Sequence, residues 1–349
     1  MPGSEPTAVT HNQSREKPSL SQLALCWLLF FSVCLGLGYA GLGRYDPRDT
    51  PGLTDSVIYS RLVSGEPVMA RDLRFRLLVP YLSKPFFVVG QSLFGVKKTA
   101  LLSLLITNSF FCAVTACLLA GIGSRLGIDW ATALLASCLY LLSFAVANIQ
   151  LAGLIDSAET CFLLAVTWSL LTNRLTLLPV WAVLGALAKE TFVPLAIVLA
   201  LVWWLTAYRE RMQTKRNLVW ILSVGFVGVL TVTLVRFAVS GQLIWPWHTE
   251  IVSPEQSYLT RLSQTVISKE FWYTFAWLIP FGVWRLSRFP RQWLLASLAA
   301  ALTAIALSAY KGVAGNMARP TFNVLGPILA LSTALLIAGR PGVVNTEKA

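Results

Sequence analysis

Apolar residues come in runs of near twenty, separated by short polar segments, and within the runs they do not alternate with polar ones. A helix needs about twenty apolar residues to cross hydrocarbon, whereas a barrel strand alternates. The pattern therefore predicts an all-α, polytopic transmembrane protein of about ten spans. These fall at roughly 21–43, 99–121, 130–148, 157–172, two within 175–208, then 217–239, 271–286, 293–310 and 321–339. Residues 1–20 are polar and proline-containing, which predicts a disordered cytoplasmic N-terminus. Residues 21–339 form one transmembrane domain, and 340–349 a cytoplasmic tail. The first run is too long for a signal-peptide core and lacks a small-residue cleavage site, so it reads as an uncleaved span.

Two stretches depart from simple spans. The run 175–208 holds Lys189 and Glu190 near its centre. One straight helix over it would reach about 50 Å, so two short helices turning at Lys189–Glu190 are expected. Residues 75–96 are long enough to cross but contain Pro80, Lys84 and Pro85. An amphipathic or re-entrant helix pair at the outer interface is expected there, as part of a first extracytoplasmic loop over 44–98. A crossing by 75–96 is the alternative.

Charge orients the spans. Arg15 and Lys17 precede the first span and place its start in the cytoplasm. With 75–96 not crossing, Arg125, Arg174, the run RERMQTKR at 209–216, Arg285 to Arg291 and Arg340 all fall on the cytoplasmic side. Asp156, Glu159, Lys189, Glu190, His248, Glu250, Lys311 and Arg319 then share the far face with the polar stretch from Arg44 to Arg76. If 75–96 crosses, Asp156 moves to the cytoplasmic side.

A hydrophobic fraction of 56%, a charged fraction of 13% and a mean hydropathy of +0.65 exclude a soluble domain. The net charge of +12 fits cytoplasmic loops against anionic lipid rather than nucleic acid. The six cysteines lie inside or at the ends of apolar runs without zinc-ligand spacing, so they read as small buried hydrophobes. No metal or organic cofactor is expected.

Candidate chemistry gathers in the far-side loops. Asp46, Asp49, Asp55, Asp72 and Glu66 sit in the first loop, out of 16 acidic residues in the chain. Asp55 and Tyr59 are four apart and share a helix face. Asp55 is either a solvated first-turn acid suited to the helix dipole or a functional carboxylate. Asp156 and Glu159 share a face at the start of a span, as interfacial helix-end charges or as acids that support or bind an acceptor. Lys189 is a candidate phosphate ligand that Glu190 tethers, or the two fix the turn through an inter-helix ion pair. The second large loop, 240–270, carries His248, a structural or a phosphate-facing histidine, with Trp245 and Trp247 as interfacial or sugar-stacking aromatics. Arg319 and Lys311 in the last loop contact lipid headgroups or a phosphate.

The acidic loop directly after the first span resembles the GT-C superfamily of polytopic membrane glycosyltransferases, which use polyprenyl-phosphate sugar donors. Asp55 to Tyr59 with Gly65 after it is similar to the D-x-x-x-Y…G pattern of polyprenyl-phosphate-mannose-dependent members. Arg74 to Leu82 looks like the R-x-L-x-P-x-L run that follows that loop, and Ala188 to Thr191 like a recurring step between short helices. The resemblance implies transfer of a sugar, such as mannose, to a glycan, lipid or protein acceptor outside a bacterial inner (plasma) membrane. It assigns the general base to Asp55; Asp49 and then Asp46 rank behind it as alternatives, and His248 is a further catalytic candidate from its own place in the second loop. Tyr59, Arg74, Arg76, Asp156, Lys189, Glu190, Lys311 and Arg319 are the candidate substrate-binding residues. There is no contiguous Asp-x-Asp of the kind metal-dependent members carry. A lipid or solute transporter and a non-catalytic subunit of a membrane complex are the competing readings.

Overall fold

The computed structural model describes residues 19–42, 54–68, 72–210, 214–246, 248, 255–311 and 318–339, and among these the secondary structure is entirely helical. Six helical stretches are long and apolar enough to cross a membrane: Leu20–Gly41, Lys98–Arg125, Phe192–Arg209, Lys215–Ser240, Arg291–Lys311 and Ala318–Ile337. The chain is an integral, multi-pass membrane protein.

Helix α1 (Leu20–Gly41) starts at a reciprocal cap. Ser19 Oγ accepts from the Gln22 amide, and Gln22 Oε1 accepts from the Ser19 amide. A short helix α2 (Thr54–Ser64) and a 3-10 turn over Leu73–Phe75 lead to α3 (Leu78–Phe94). This is one helix where a pair was expected. Pro80 sits in its first turn, where no amide partner is needed, and Pro85 is carried inside it. Lys84 lays its ammonium over the Tyr81 ring at 4.1 Å. Gly95, at φ 77°, reverses the chain into α4 (Val96–Arg125). Thr99 Oγ1 donates to the Gly90 carbonyl and Ser83 Oγ to Thr107 Oγ1, so α3 folds back along the first half of α4.

Helix α5 (Trp130–Leu141), a π turn over Val146–Gln150 and α6 (Asp156–Leu171) follow. Nearly every residue of α6 is buried, which makes it the centre of the bundle. Next, α7 (Leu178–Ala188) and α8 (Phe192–Arg209) are two helices broken at Lys189–Glu190. The Phe192 ring folds back onto Gly185, where a Cβ would lie 2.5 Å from it. Pro194, the third residue of α8, lacks an amide proton that would have no helical partner anyway.

Helix α9 (Leu218–Ser240) rises to Gly241. The chain then descends through α10 (Tyr258–Ile267), α11 (Lys269–Phe275), α12 (Leu278–Gly282) and a 3-10 stretch over Val283–Arg288. A single span over 271–286 was expected. Instead, the helix breaks at Ala276, whose φ of 23° and ψ of −104° leave the helical region. Helix α13 (Arg291–Lys311) and the almost wholly buried α14 (Ala318–Ile337) complete the bundle.

The bundle has two chemically different ends. The starts of α6, α8 and α14 and the last turn of α13 meet in ion pairs at one end. At the other, Gln292 Nε2 donates to Glu210 Oε2, joining the start of α13 to the end of α8. The six cysteines are free thiols, of which Cys34, Cys112 and Cys161 are buried, while Cys138 is exposed on the helix surface rather than buried as expected.

In a cysteine-free background, a cysteine at exposed position 174 and one at exposed position 255 should react with an impermeant thiol reagent from opposite sides of the membrane. Reaction of both from the same side would contradict the two-ended arrangement.

Candidate functional site

Lys189 occupies the break between α7 and α8 with an extended backbone, φ −163° and ψ 134°. Its Nζ donates to Asp156 Oδ1 at 2.7 Å and Glu159 Oε2 at 2.8 Å, both from the first turn of α6. Thr191 Oγ1 donates to the other Glu159 oxygen at 2.5 Å, and Asn323 Nδ2 of α14 donates to Glu159 Oε2 at 2.7 Å. Burial alone would lower the Lys189 pKa, but the two carboxylates outweigh it and raise it above the usual lysine range.

Glu190 turns to a different set of partners. Arg76 forks onto it, Nε to Oε2 at 2.9 Å and Nη2 to Oε1 at 2.6 Å, and its Nη1 donates to Tyr59 Oη at 2.7 Å. This planar, bidentate geometry is the strong form of a carboxylate pair. Burial pushes the Glu190 carboxyl up, yet the Arg76 charge and hydrogen bonds, with Lys311 Nζ at 3.7 Å behind them, hold it well below the usual carboxylate range. Burial pushes the Tyr59 hydroxyl up to about 12, so it stays a neutral phenol. The expected tether from Glu190 to Lys189 is therefore replaced by one from Glu190 to Arg76. Adjacent side chains of an extended break point apart and reach separate partners.

Asp55 lies in the first turn of α2, one turn before Tyr59. Arg319, the second residue of α14, places Nη1 3.6 Å from Asp55 Oδ2 and 3.7 Å from Asp156 Oδ2. These are ionic contacts rather than hydrogen bonds. The Asp55 side chain is 26% exposed, against 3% for Asp156, 0% for Glu159 and 11% for Glu190. Asp55 is thus the open carboxylate of the group.

Behind the ions a neutral network runs into the bundle. Asn323 Oδ1 accepts from Gln150 Nε2, which also donates to Thr160 Oγ1. Gln150 Oε1 accepts from Tyr140 Oη at 3.3 Å and from Cys112 Sγ at 3.5 Å.

The structure thus brings Asp55, Tyr59, Arg76, Asp156, Lys189, Glu190, Lys311 and Arg319 into one assembly. Arg74 stands beside it, stacked over Phe75 at 4.9 Å. His248 is exposed; its amide donates to the Trp245 carbonyl at 3.0 Å and its own carbonyl accepts from Arg236 Nη1 at 3.2 Å. Asp46, Asp49 and Trp247 lie outside the described residues. Sequence reasoning missed Arg236, Asn323 and Gln150. Arg236 had a visible signal, since it is the one charge within the apolar run of α9. Asn323 and Gln150 are neutral residues in apolar surroundings and gave none.

A family model described as "Predicted membrane protein (DUF2079)" matches residues 94–333, more than half of the 349-residue chain. No curated protein matches it.

Breaking the Arg76–Glu190 pair by Glu190→Ala strands a buried guanidinium. It should lower unfolding free energy in detergent by about 3–5 kcal/mol, while the double change of both residues to Met recovers part of that loss. The Glu190 pKa is lower in the folded chain, so this contribution is complete above about pH 5. It is lost as pH falls through the folded value, and Glu190→Ala should blunt the acid limb of the stability profile. A melting curve for Glu190→Ala matching wild type from acid to neutral pH would refute the assignment.

Proposed function

The chain belongs to the DUF2079 family of predicted membrane proteins; from its charged cluster and its sequence resemblance we propose that it is a GT-C-type glycosyltransferase of the bacterial inner membrane. In this reading it moves a sugar, such as mannose, from a polyprenyl-phosphate donor to a glycan, lipid or protein acceptor at the extracytoplasmic face. The observation that carries the reading is the contrast within the cluster. Three carboxylates are consumed by hydrogen bonds at 2.5–2.9 Å, whereas Asp55 is partly exposed and faces an arginine at 3.6 Å.

A sugar or lipid hydroxyl is a weak nucleophile, and a positioned carboxylate removes its proton as the new bond forms. Asp55 takes that proton while the hydroxyl oxygen attacks the anomeric carbon. The bond from that carbon to the phosphate oxygen breaks, and its electron pair leaves with the lipid phosphate. One direct displacement inverts the anomeric centre. Arg319 and Lys311 neutralise the departing phosphate. Exposed apolar side chains along α9, including Leu230, Leu234 and Phe237, offer a surface for the lipid tail. Lys189, Glu159, Glu190 and Arg76 act as positioning residues that hold the starts of α6 and α8 beneath Asp55 and Arg319.

Asp55→Asn should reduce sugar transfer from a radiolabelled polyprenyl-phosphate donor by about 10²–10⁴-fold with an unchanged melting temperature. Arg319→Gln should raise the KM for donor more than it lowers kcat. Wild-type transfer by correctly inserted Asp55→Asn protein would remove the proposal. Movement of labelled lipid across vesicles without sugar transfer would favour a transporter.

A further inference from the structure

Among the described residues Arg236 is a buried cation without an acid. Its side chain is about 1% exposed, and Nη1 donates to the carbonyls of Trp245 at 2.6 Å and His248 at 3.2 Å. Its Nε is buried with no hydrogen-bond partner, and no described carboxylate lies within ion-pair distance. Taking a guanidinium out of water costs several kcal/mol, which two carbonyls offset only in part. Arg74 repeats the feature, since its Nε is also buried and unpartnered. Both guanidiniums lie over the same Phe75 ring, at 4.9 Å and 5.6 Å.

Arg236 and Phe75 line a small open cleft with Ala186, Glu190, Val232 and Val235, and Arg74 reaches the same ring from outside that lining. The one acid on its wall, Glu190, is already committed to Arg76 and Lys311. Among the described residues, the surroundings of the Phe75 ring therefore carry excess positive charge, with the Nε–H groups of Arg236 and Arg74 unused. The aliphatic and aromatic lining strengthens any ionic contact made there.

We propose that Arg236 and Arg74 form a second anion site that takes a phosphate-class oxyanion, separate from the Asp55–Arg319 pair and divided from it by the Arg76–Glu190 bridge. Guanidinium N–H groups match phosphate oxygens, and a bound oxyanion neutralises the uncompensated charge. Assigning this anion to the acceptor rests on the glycosyltransferase reading, in which Arg319 holds the donor phosphate. The anion site itself does not rest on that reading.

The test measures thermal unfolding of purified full-length protein in neutral detergent against inorganic phosphate, farnesyl phosphate and farnesol. It is run on the wild-type chain and on Arg319→Met, where the donor-phosphate site keeps Lys311 but loses its arginine. A saturable upward shift is expected in both with a phosphate-bearing probe and not with farnesol. Adding Arg236→Met or Arg74→Gln to the Arg319→Met chain should weaken apparent affinity at least about tenfold. Arg74→Gln, at a partly exposed position, keeps the test available if Arg236→Met does not accumulate. A response to farnesyl phosphate alone identifies a lipid phosphate, and an equal response to inorganic phosphate identifies a free one. The site is overturned if neither anion shifts Arg319→Met, if farnesol acts as well as farnesyl phosphate, or if the added substitutions leave affinity unchanged. Sugar transfer is not read, so this outcome is independent of the fate of Asp55 as the base.

Discussion

A lysine ammonium buried among helices must be neutralised, and Lys189 is neutralised by two carboxylates on the first turn of α6. That requirement reaches through much of the bundle. The lysine leaves helical geometry to reach its partners, which ends α7 and starts α8. Glu159 then gathers Thr191 and Asn323, tying α8 and α14 to the same point. Because the break is extended, Glu190 points elsewhere and captures Arg76, which fixes Tyr59 and with it α2. Asp55 sits one helical turn from Tyr59, so its position is inherited from this chain of pairings.

Much of this was legible before any coordinates, for a physical reason. Hydrocarbon penalises charge, so ionisable residues in an apolar chain mark places where something specific neutralises them. Counting ends by charge was enough to gather Asp156, Lys189, Glu190, Lys311 and Arg319. The split of 175–208 at Lys189–Glu190 followed from length against membrane thickness. The pairing pattern was not legible, because which acid meets which cation depends on helix rotation and on the backbone of the break. The irregular descent after α10 was equally hidden. Its apolar content over 271–286 fits a span, and nothing in the local sequence flags Ala276 as the break.

The arrangement also separates stability from exposure. Deeply placed pairs are short, bidentate or multiply hydrogen-bonded, and they bind helix to helix. Contacts nearer the surface, from Arg319 to Asp55 and from Lys311 to Glu190, are longer and leave carboxylate and cation edges accessible. A rigid floor under a looser rim is the arrangement a polar ligand needs, since the rim exchanges partners without the floor giving way.

The broken stretch from α11 through the 3-10 turn at Val283–Arg288 bears on how the protein is made. Its helix ends carry backbone groups that hydrocarbon cannot satisfy. One of them, the Gly282 carbonyl, accepts from the Ser332 hydroxyl of α14, and the Phe275 ring rests against Phe322 of the same helix. Those partners are synthesised after it. During translation this stretch must stay in the insertion machinery or at the membrane surface until α14 emerges. Closure of this stretch therefore waits on α14, the same helix that carries Arg319 and Asn323 into the charged end.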